Sequence, residues 1–229
     1  MNQILVTRLK KSSQKKKLSF FRFAFFISIF FIVSCVIYIS YLKSFKKSRD
    51  ATANYLINSY TISNLYSSTN FYFTDIPSTT PNDLEHLDNS EPPIVIGIIR
   101  IDKLNFSYPV LSYLTDEFLK ISVCRFYGPN LNEVGNVCIA GHNYNDGSFF
   151  SSIYSLNYGD SIFIVSNNEE VEYIVYNKKE VNYTDTSCTE QNTDGKREIT
   201  LVTCNNFNGY RIVISAKEKD LIEVNSMNY

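Results

Sequence analysis

Between Phe23 and Leu42 the chain runs for twenty residues without a charge, interrupted only by Ser28, Ser34 and Ser40. At about 1.5 Å of rise per residue, a helix of that length spans roughly 30 Å, the hydrocarbon thickness of a bilayer. Phe, Ile and Val dominate the run, and Tyr38 and Tyr41 stand near its far end, where an interfacial aromatic belt falls. An all-round apolar helix beside a Lys-rich terminus is rare as a core helix of a soluble domain. The run also exceeds the roughly 7–15 apolar residues of a signal peptide, and Tyr41-Leu42-Lys43 is too bulky for a cleavage site. The segment therefore reads as an uncleaved signal anchor, residues 23–42, behind a basic tail, residues 1–22.

Charge is segregated around this run. Eleven of the 22 Lys/Arg lie in residues 1–49, and none of the 23 Asp/Glu does, so the remainder carries eleven basic residues against 23 acidic ones, a net of −12. Seven basic residues precede the run and four follow it, in Lys43–Arg49. The excess on the N-terminal side predicts a cytoplasmic N-terminus and an external remainder. An acidic main body argues against nucleic-acid binding, which needs a basic face. With 44% apolar residues the chain is not wholly disordered. Five cysteines without CxxC spacing suggest neither a disulfide scaffold nor a structural zinc site.

Residues 43–60 are polar and could continue the anchor as a membrane-proximal helix. Residues 61–93 are rich in Ser, Thr, Asn, Asp and Pro, so 43–93 reads as an extracellular tether. From Ile94 the texture changes, and 94–229 reads as the folded domain. Strands are predicted at Ile94–Ile101, Phe106–Leu111, Asn136–Ala140, Ser161–Val165, Val171–Asn177 (extending toward Val181), Ile199–Cys204 and Tyr210–Ala216. Short helices are predicted at Thr115–Ile121, with Thr115 as N-cap, and at Ser148–Leu156. Asn182–Arg197 is polar and turn-rich, a loop. Many short strands with few helices imply an all-β barrel or sandwich.

Three reactive residue types fall at predicted strand ends. His142 follows the strand Asn136–Ala140, Cys204 ends Ile199–Cys204, and Arg211 begins the next strand seven residues on. Side chains at strand ends sit at a barrel rim, where they can converge. Together they suit acyl transfer. A thiolate attacks a carbonyl, an imidazole protonates the leaving amine and then deprotonates the incoming nucleophile, and a guanidinium steadies the oxyanion. Residue types alone leave open a buried Cys204 and a solvated Arg211.

The local words go further. Thr200-Leu201-Val202-Thr203-Cys204 followed by Arg211 resembles the TLxTC…R signature of sortases, and Gly141-His142-Asn143 matches the setting of their histidine. Phe149-Phe150…Leu156…Gly159-Asp160-Ser161-Ile162 resembles the family's run after that histidine. The resemblance covers about residues 94–217, together with the order of anchor, tether and domain. It implies an eight-stranded sortase-type β-barrel with short helices, on the outer face of a Gram-positive cell membrane. It also implies a cysteine transpeptidase: Cys204 attacks an LPXTG-like sorting signal of secreted surface proteins, His142 acts as general acid then base, Arg211 binds substrate and oxyanion, and Thr203 lines the substrate site. The acceptor is an amine nucleophile of a peptidoglycan precursor, or a pilin Lys in a pilin-type ligase. A cysteine protease of the same fold, releasing product by hydrolysis, would share every one of these residues. A non-enzymatic anchored binding module on the same barrel would make no use of Cys204. The SHGC motif of L,D-transpeptidases is absent.

Within the family, a class D-like pattern fits best. Asp75-Ile76-Pro77 is not the Asp-Pro-aromatic lid of class C, no apolar tail follows the last strand, and Asn182–Arg197 is too short for the class B helix. No cofactor is implied. A class A calcium site would need Glu133 with Asp185, Glu190 or Asp194, but acidic loop residues are ordinarily just solvated, and no metal site is expected. Cys35 reads as packing within the anchor and His86 as solvated. Cys124 and Cys138 read as buried thiols rather than a disulfide, and Cys188 as a second exposed thiol.

Overall fold

The computed structural model describes residues 2–69, 93–206 and 209–219. The chain divides into two compact units, residues 1–45 and residues 46–229. Helix α1 (Asn2–Thr69) contributes to both. In the first unit the large apolar side chains from Phe23 to Tyr41, among them Phe25, Phe26, Phe30 and Phe31, are exposed. Among the described residues this is one helix long and apolar enough to cross a membrane.

The second unit is built on a closed eight-stranded barrel. In chain order the strands are β1 (Val95–Ile101), β2 (Phe106–Leu111), β3 (Val123–Tyr127), β4 (Gly135–Ala140), β5 (Ser161–Ser166), β6 (Glu169–Val181), β7 (Arg197–Cys204) and β8 (Arg211–Glu218). Around the barrel they run β1-β2-β3-β4-β7-β8-β6-β5. The pairs β2–β3 and β4–β7 are parallel and the others antiparallel. Seven strands match the sequence prediction within a few residues. The eighth, β3, was not predicted: Val-Cys-Arg-Phe-Tyr is short, lacks alternation, and holds β2 through only the pairs Val110–Val123 and Leu111–Cys124. Helix α2 (Asp116–Ile121) is capped by Thr115, whose hydroxyl accepts from the Phe118 amide at 3.0 Å. The helix predicted over Ser148–Leu156 is a 3-10 turn, Phe150–Ser155.

Alternation along the strands sorts their side chains. Val137 and Ile139 of β4, Ile199 and Leu201 of β7, and Ile212, Ile214 and Ala216 of β8 join the barrel core. Val202 and Val213 face outward, yet they too are buried, because the β6–β7 loop folds over them and adds Val181 and Cys188 to a second cluster. Covered on both faces, β7 is buried at every residue from Ile199 to Thr203 rather than at alternate ones, with Thr200 and Thr203 among them. Asn136 ties the loop down: its amide donates to the Cys188 and Glu190 carbonyls, each at 3.0 Å, and its oxygen accepts from the Thr200 hydroxyl at 2.9 Å. Cys188, expected to be exposed from the polarity of its neighbours, is therefore buried.

Residues 43–60 continue the anchor as a helix, as their sequence allowed, and the helix runs on to Thr69, into the stretch read as an irregular tether. Thr52, Ala53 and Leu56 of this stretch are buried, Leu56 against Leu111, Phe118, Ile121 and Cys124. Tyr108 donates to the Asp50 carboxylate at 2.6 Å, and Tyr60 to the Ile96 carbonyl at 3.3 Å. Positions 49, 53, 56 and 60 form one helical stripe of Arg, Ala, Leu and Tyr, with Leu56 its one large aliphatic residue, too thin a pattern to announce an amphipathic helix. The rest of the expected tether, with His86 and Asp75-Ile76-Pro77, lies outside the described residues.

Candidate active site

Strand register brings Cys204 and Arg211 to one end and one face of the barrel, and the loop that carries His142 is bonded to the same end. Cys204 and Arg211 are direct cross-strand partners at the ends of β7 and β8, and such partners share a face. On β7, Ile199 and Leu201 point inward, so Cys204 points out. On β8, Ile212 and Ile214 point inward, so Arg211 points out. In the parallel β4–β7 ladder Ala140 pairs with Val202. The ladder ends there, and hydrogen bonds on either side of His142, from Gly141 N to the Val202 carbonyl and from Asn143 Nδ2 to the Cys204 carbonyl, carry its loop along the end of β7.

The same parity places Gly141 inward. A Cβ on Gly141 would lie 2.8 Å from both Phe150 Cδ2 and Val123 Cγ1, inside the core. Glycine at this position lets the chain enter the histidine loop without displacing Phe150. Gly141→Ala is expected to destabilise the chain by about 1–3 kcal/mol through overpacking, measured by chemical denaturation, and to slow any reaction that uses His142.

Hydrogen bonds lock the histidine loop to the cysteine strand. Gly141 N donates to the Val202 carbonyl at 3.1 Å. The Thr203 hydroxyl donates to the Gly141 carbonyl at 2.7 Å. Asn143 Nδ2 donates to the Cys204 carbonyl at 2.8 Å, and Asn206 Nδ2 to the Asn143 carbonyl at 2.9 Å. Thr203, one residue out of phase with Cys204, is 3% exposed and spends its hydroxyl on the loop. Asn143 was given no role in the sequence reading, although it stands next to His142; only the fold shows that it spans the two strands. Phe149, at φ 53° and almost fully buried, closes the loop in a conformation that costs a non-glycine residue about 1–3 kcal/mol and is held by its packing on Tyr108.

Exposure separates Cys204 from the other thiols of the barrel. Cys204 is exposed, whereas Cys124, Cys138 and Cys188 are buried. Burial pushes the Cys124 and Cys138 thiols up to about 12, and raises that of Cys188. All are free, so Cys124 and Cys138 form no disulfide here. His142 is half-buried. Burial lowers its pKa, the Arg49 and Lys120 charges lower it further, and Asp116 opposes them. A neutral imidazole with an available lone pair is therefore favoured near neutral pH. Beside the site runs a groove of about 800 Å³ bordered by Asn143, Tyr154, Glu180, Asn205 and Asn206.

The carboxylates considered for calcium do not converge. Glu133 accepts from the Asn130 amide and side chain, Asp185 from the Ser187 amide, and Glu190 from the Gln191 and Asn192 amides. Among the described residues no group of three His, Cys, Asp or Glu could hold a metal ion.

Known proteins share this architecture. Sortase A of Bacillus anthracis is 34% identical over 135 residues, which cover 58% of this chain and 63% of that protein, so the match spans less than two thirds of the relative. A Clostridium perfringens Sortase D5 transpeptidase is 28% identical, with a TM-score of 0.51 over 55% of this chain and 79% of that one. The fold of a Clostridium perfringens sortase C, solved with a C-terminal cell wall sorting motif, matches at a TM-score of 0.51 and 23% identity over 81% of this chain and all of that one. These relatives carry three different class letters, so they select no class. The family model described as Sortase domain matches residues 99–219, more than half of the chain. With that match lying over the barrel and its Cys204, Arg211 and His142 rim, the chain belongs to the sortase family.

Proposed function

We propose that this sortase is a membrane-anchored cysteine transpeptidase acting on an LPXTG-like sorting signal. The observation that carries the reading is the pairing of the exposed Cys204 with Arg211 across β7 and β8, at the strand end to which the His142 loop is hydrogen-bonded. The Cys204 thiol gives its proton to the neutral His142 imidazole, and the sulfur attacks the threonine carbonyl of the signal. Arg211 holds the carbonyl oxygen as charge develops on it. The peptide C–N bond breaks, His142 returns the proton to the leaving amine, and a thioacyl-enzyme remains. An amine of a peptidoglycan precursor then attacks the thioester, His142 takes its proton, and an amide forms as the Cys204 thiol is regenerated. The groove beside the site suits an extended peptide. Residues 23–42 serve as the anchor, with residues 1–22 cytoplasmic and the barrel outside, as the charge asymmetry supports.

Incubation of the full chain with a sorting-signal peptide, with and without an amine nucleophile, tests this by mass spectrometry. The expected result is an amide-ligated product that forms only when the amine is present. Equal release of the leaving peptide in both arms, with no ligated product, would sink transpeptidation and identify a hydrolase.

A further inference from the structure

The histidine loop is gripped by a residue from outside the barrel sequence. Arg49 of α1 forms an ion pair with Asp146, whose side chain is only 3% exposed. The Arg49 guanidinium carbon lies 3.6 Å from the centroid of the Tyr144 ring, a close cation–π stack. Tyr144 in turn packs against His142, with ring centroids 4.9 Å apart, and against Phe149 at 5.6 Å. Asp146 also accepts from the Ser148 amide at 2.9 Å, so the carboxylate that holds Arg49 shapes the turn after His142. On its other side Arg49 is carried by a helix face that Thr52, Ala53 and Leu56 bury against the barrel.

We propose that Arg49 is a positioning residue of the active site, clamping the His142 loop through Asp146 and Tyr144 so that the imidazole keeps its orientation toward Cys204. The proposal rests on the reading of His142 as the acid–base group. A planar guanidinium can stack on Tyr144 and reach Asp146 together, which an ammonium does less well. The positive charge of Arg49 also disfavours the imidazolium. The charged groups acting on His142 are Arg49 from α1 and Asp116 and Lys120 from α2. Cys204 and Arg211 stand at the neighbouring ends of β7 and β8.

The test uses the full chain in lipid nanodiscs with ¹⁵N-labelled histidine. The chain has two histidines, so His86 supplies an internal reference for the titration of His142. Because Arg49→Gln alone strands the buried Asp146 charge, the double variant Arg49→Gln/Asp146→Asn is measured beside it, with Arg49→Lys as the conservative variant. In the double variant His142 is expected to titrate at higher pH than in the parent, since the cation that opposes its protonation is gone. Thioacyl formation is expected to slow on the order of 10–100-fold as the loop loosens, and the acidic limb of its pH profile, where His142 must be neutral, to move upward. Arg49→Lys is expected to restore most of the titration but only part of the rate. A folded double variant that keeps either the parent titration or the parent acylation rate overturns the proposal. The titration needs no substrate: a parent chain that forms no thioacyl adduct, with the shift still seen, defeats the proposed function and leaves the Arg49–His142 coupling standing.

Discussion

Cys204→Ala is expected to abolish the thioacyl adduct entirely while leaving the barrel folded. Chemically, no other thiol of the barrel can take over. Cys124, Cys138 and Cys188 are buried, and burial raises the pKa of each thiol, to about 12 for Cys124 and Cys138, so they lack the access and the thiolate character of a nucleophile. Structurally, the Cys204 side chain is exposed at the last position of β7, so its removal opens no cavity. The contact that matters for the loop, Asn143 Nδ2 to the Cys204 carbonyl, is made by the backbone and survives the substitution. Stability should therefore change by no more than about 0.5 kcal/mol, as for other exposed positions. Intact-mass measurement after incubation with a sorting-signal peptide, paired with thermal unfolding, reads both halves of the expectation. An adduct persisting at parental yield would mean that the nucleophile lies elsewhere.

The candidate site was legible in the sequence to an uneven degree, for reasons that lie in sheet geometry. Cys204 and Arg211 are seven residues apart and joined by one short connection, so a hairpin already makes them neighbours. His142 is 62 positions upstream of Cys204 and reaches it only because β4 and β7 run parallel and adjacent, an order that hydrophobic alternation does not encode. Thr203, next to the nucleophile in the motif, is turned inward by the period of two, where its hydroxyl serves Gly141, a contact the motif alone does not show. Cys188 was misplaced because local polarity predicts exposure, whereas Asn136, 52 residues away, pulls its loop over Val202 and Val213. Strand β3 escaped because Arg125 breaks its apolar pattern; that guanidinium is used internally, donating to the Ser112 and Pro129 carbonyls. Arg49 was counted as one of four charges flanking the apolar run, and nothing in that count shows that it points at Tyr144 rather than at anionic lipid headgroups.

Arg211→Lys is expected to be nearly as damaging to turnover as the loss of the nucleophile, though the charge is conserved. Among the arginines, the ion pairs of the described residues engage Arg49, Arg100 and Arg197, whereas Arg211 stands half-buried opposite Cys204, on the face where the tetrahedral oxyanion would form. A guanidinium offers parallel N–H donors in one plane and keeps them aimed as charge builds on the oxygen. A lysine ammonium is a flexible point charge that must be ordered and desolvated at the moment of reaction. Removing one well-placed oxyanion donor typically costs on the order of 10²–10³ in rate, and kcat/KM for acylation should fall by about that much. The fold should hold, because the β7–β8 pairing from Glu198–Lys217 to Cys204–Arg211 is made by the backbone. Unfolding curves that match the parent, together with the loss in kcat/KM, would assign the effect to the transition state rather than to a disturbed strand. A lysine variant turning over within a few-fold of the parent would remove Arg211 from the oxyanion role and leave the Asn143, Asn205 and Asn206 side of the rim as the place to look for the donor.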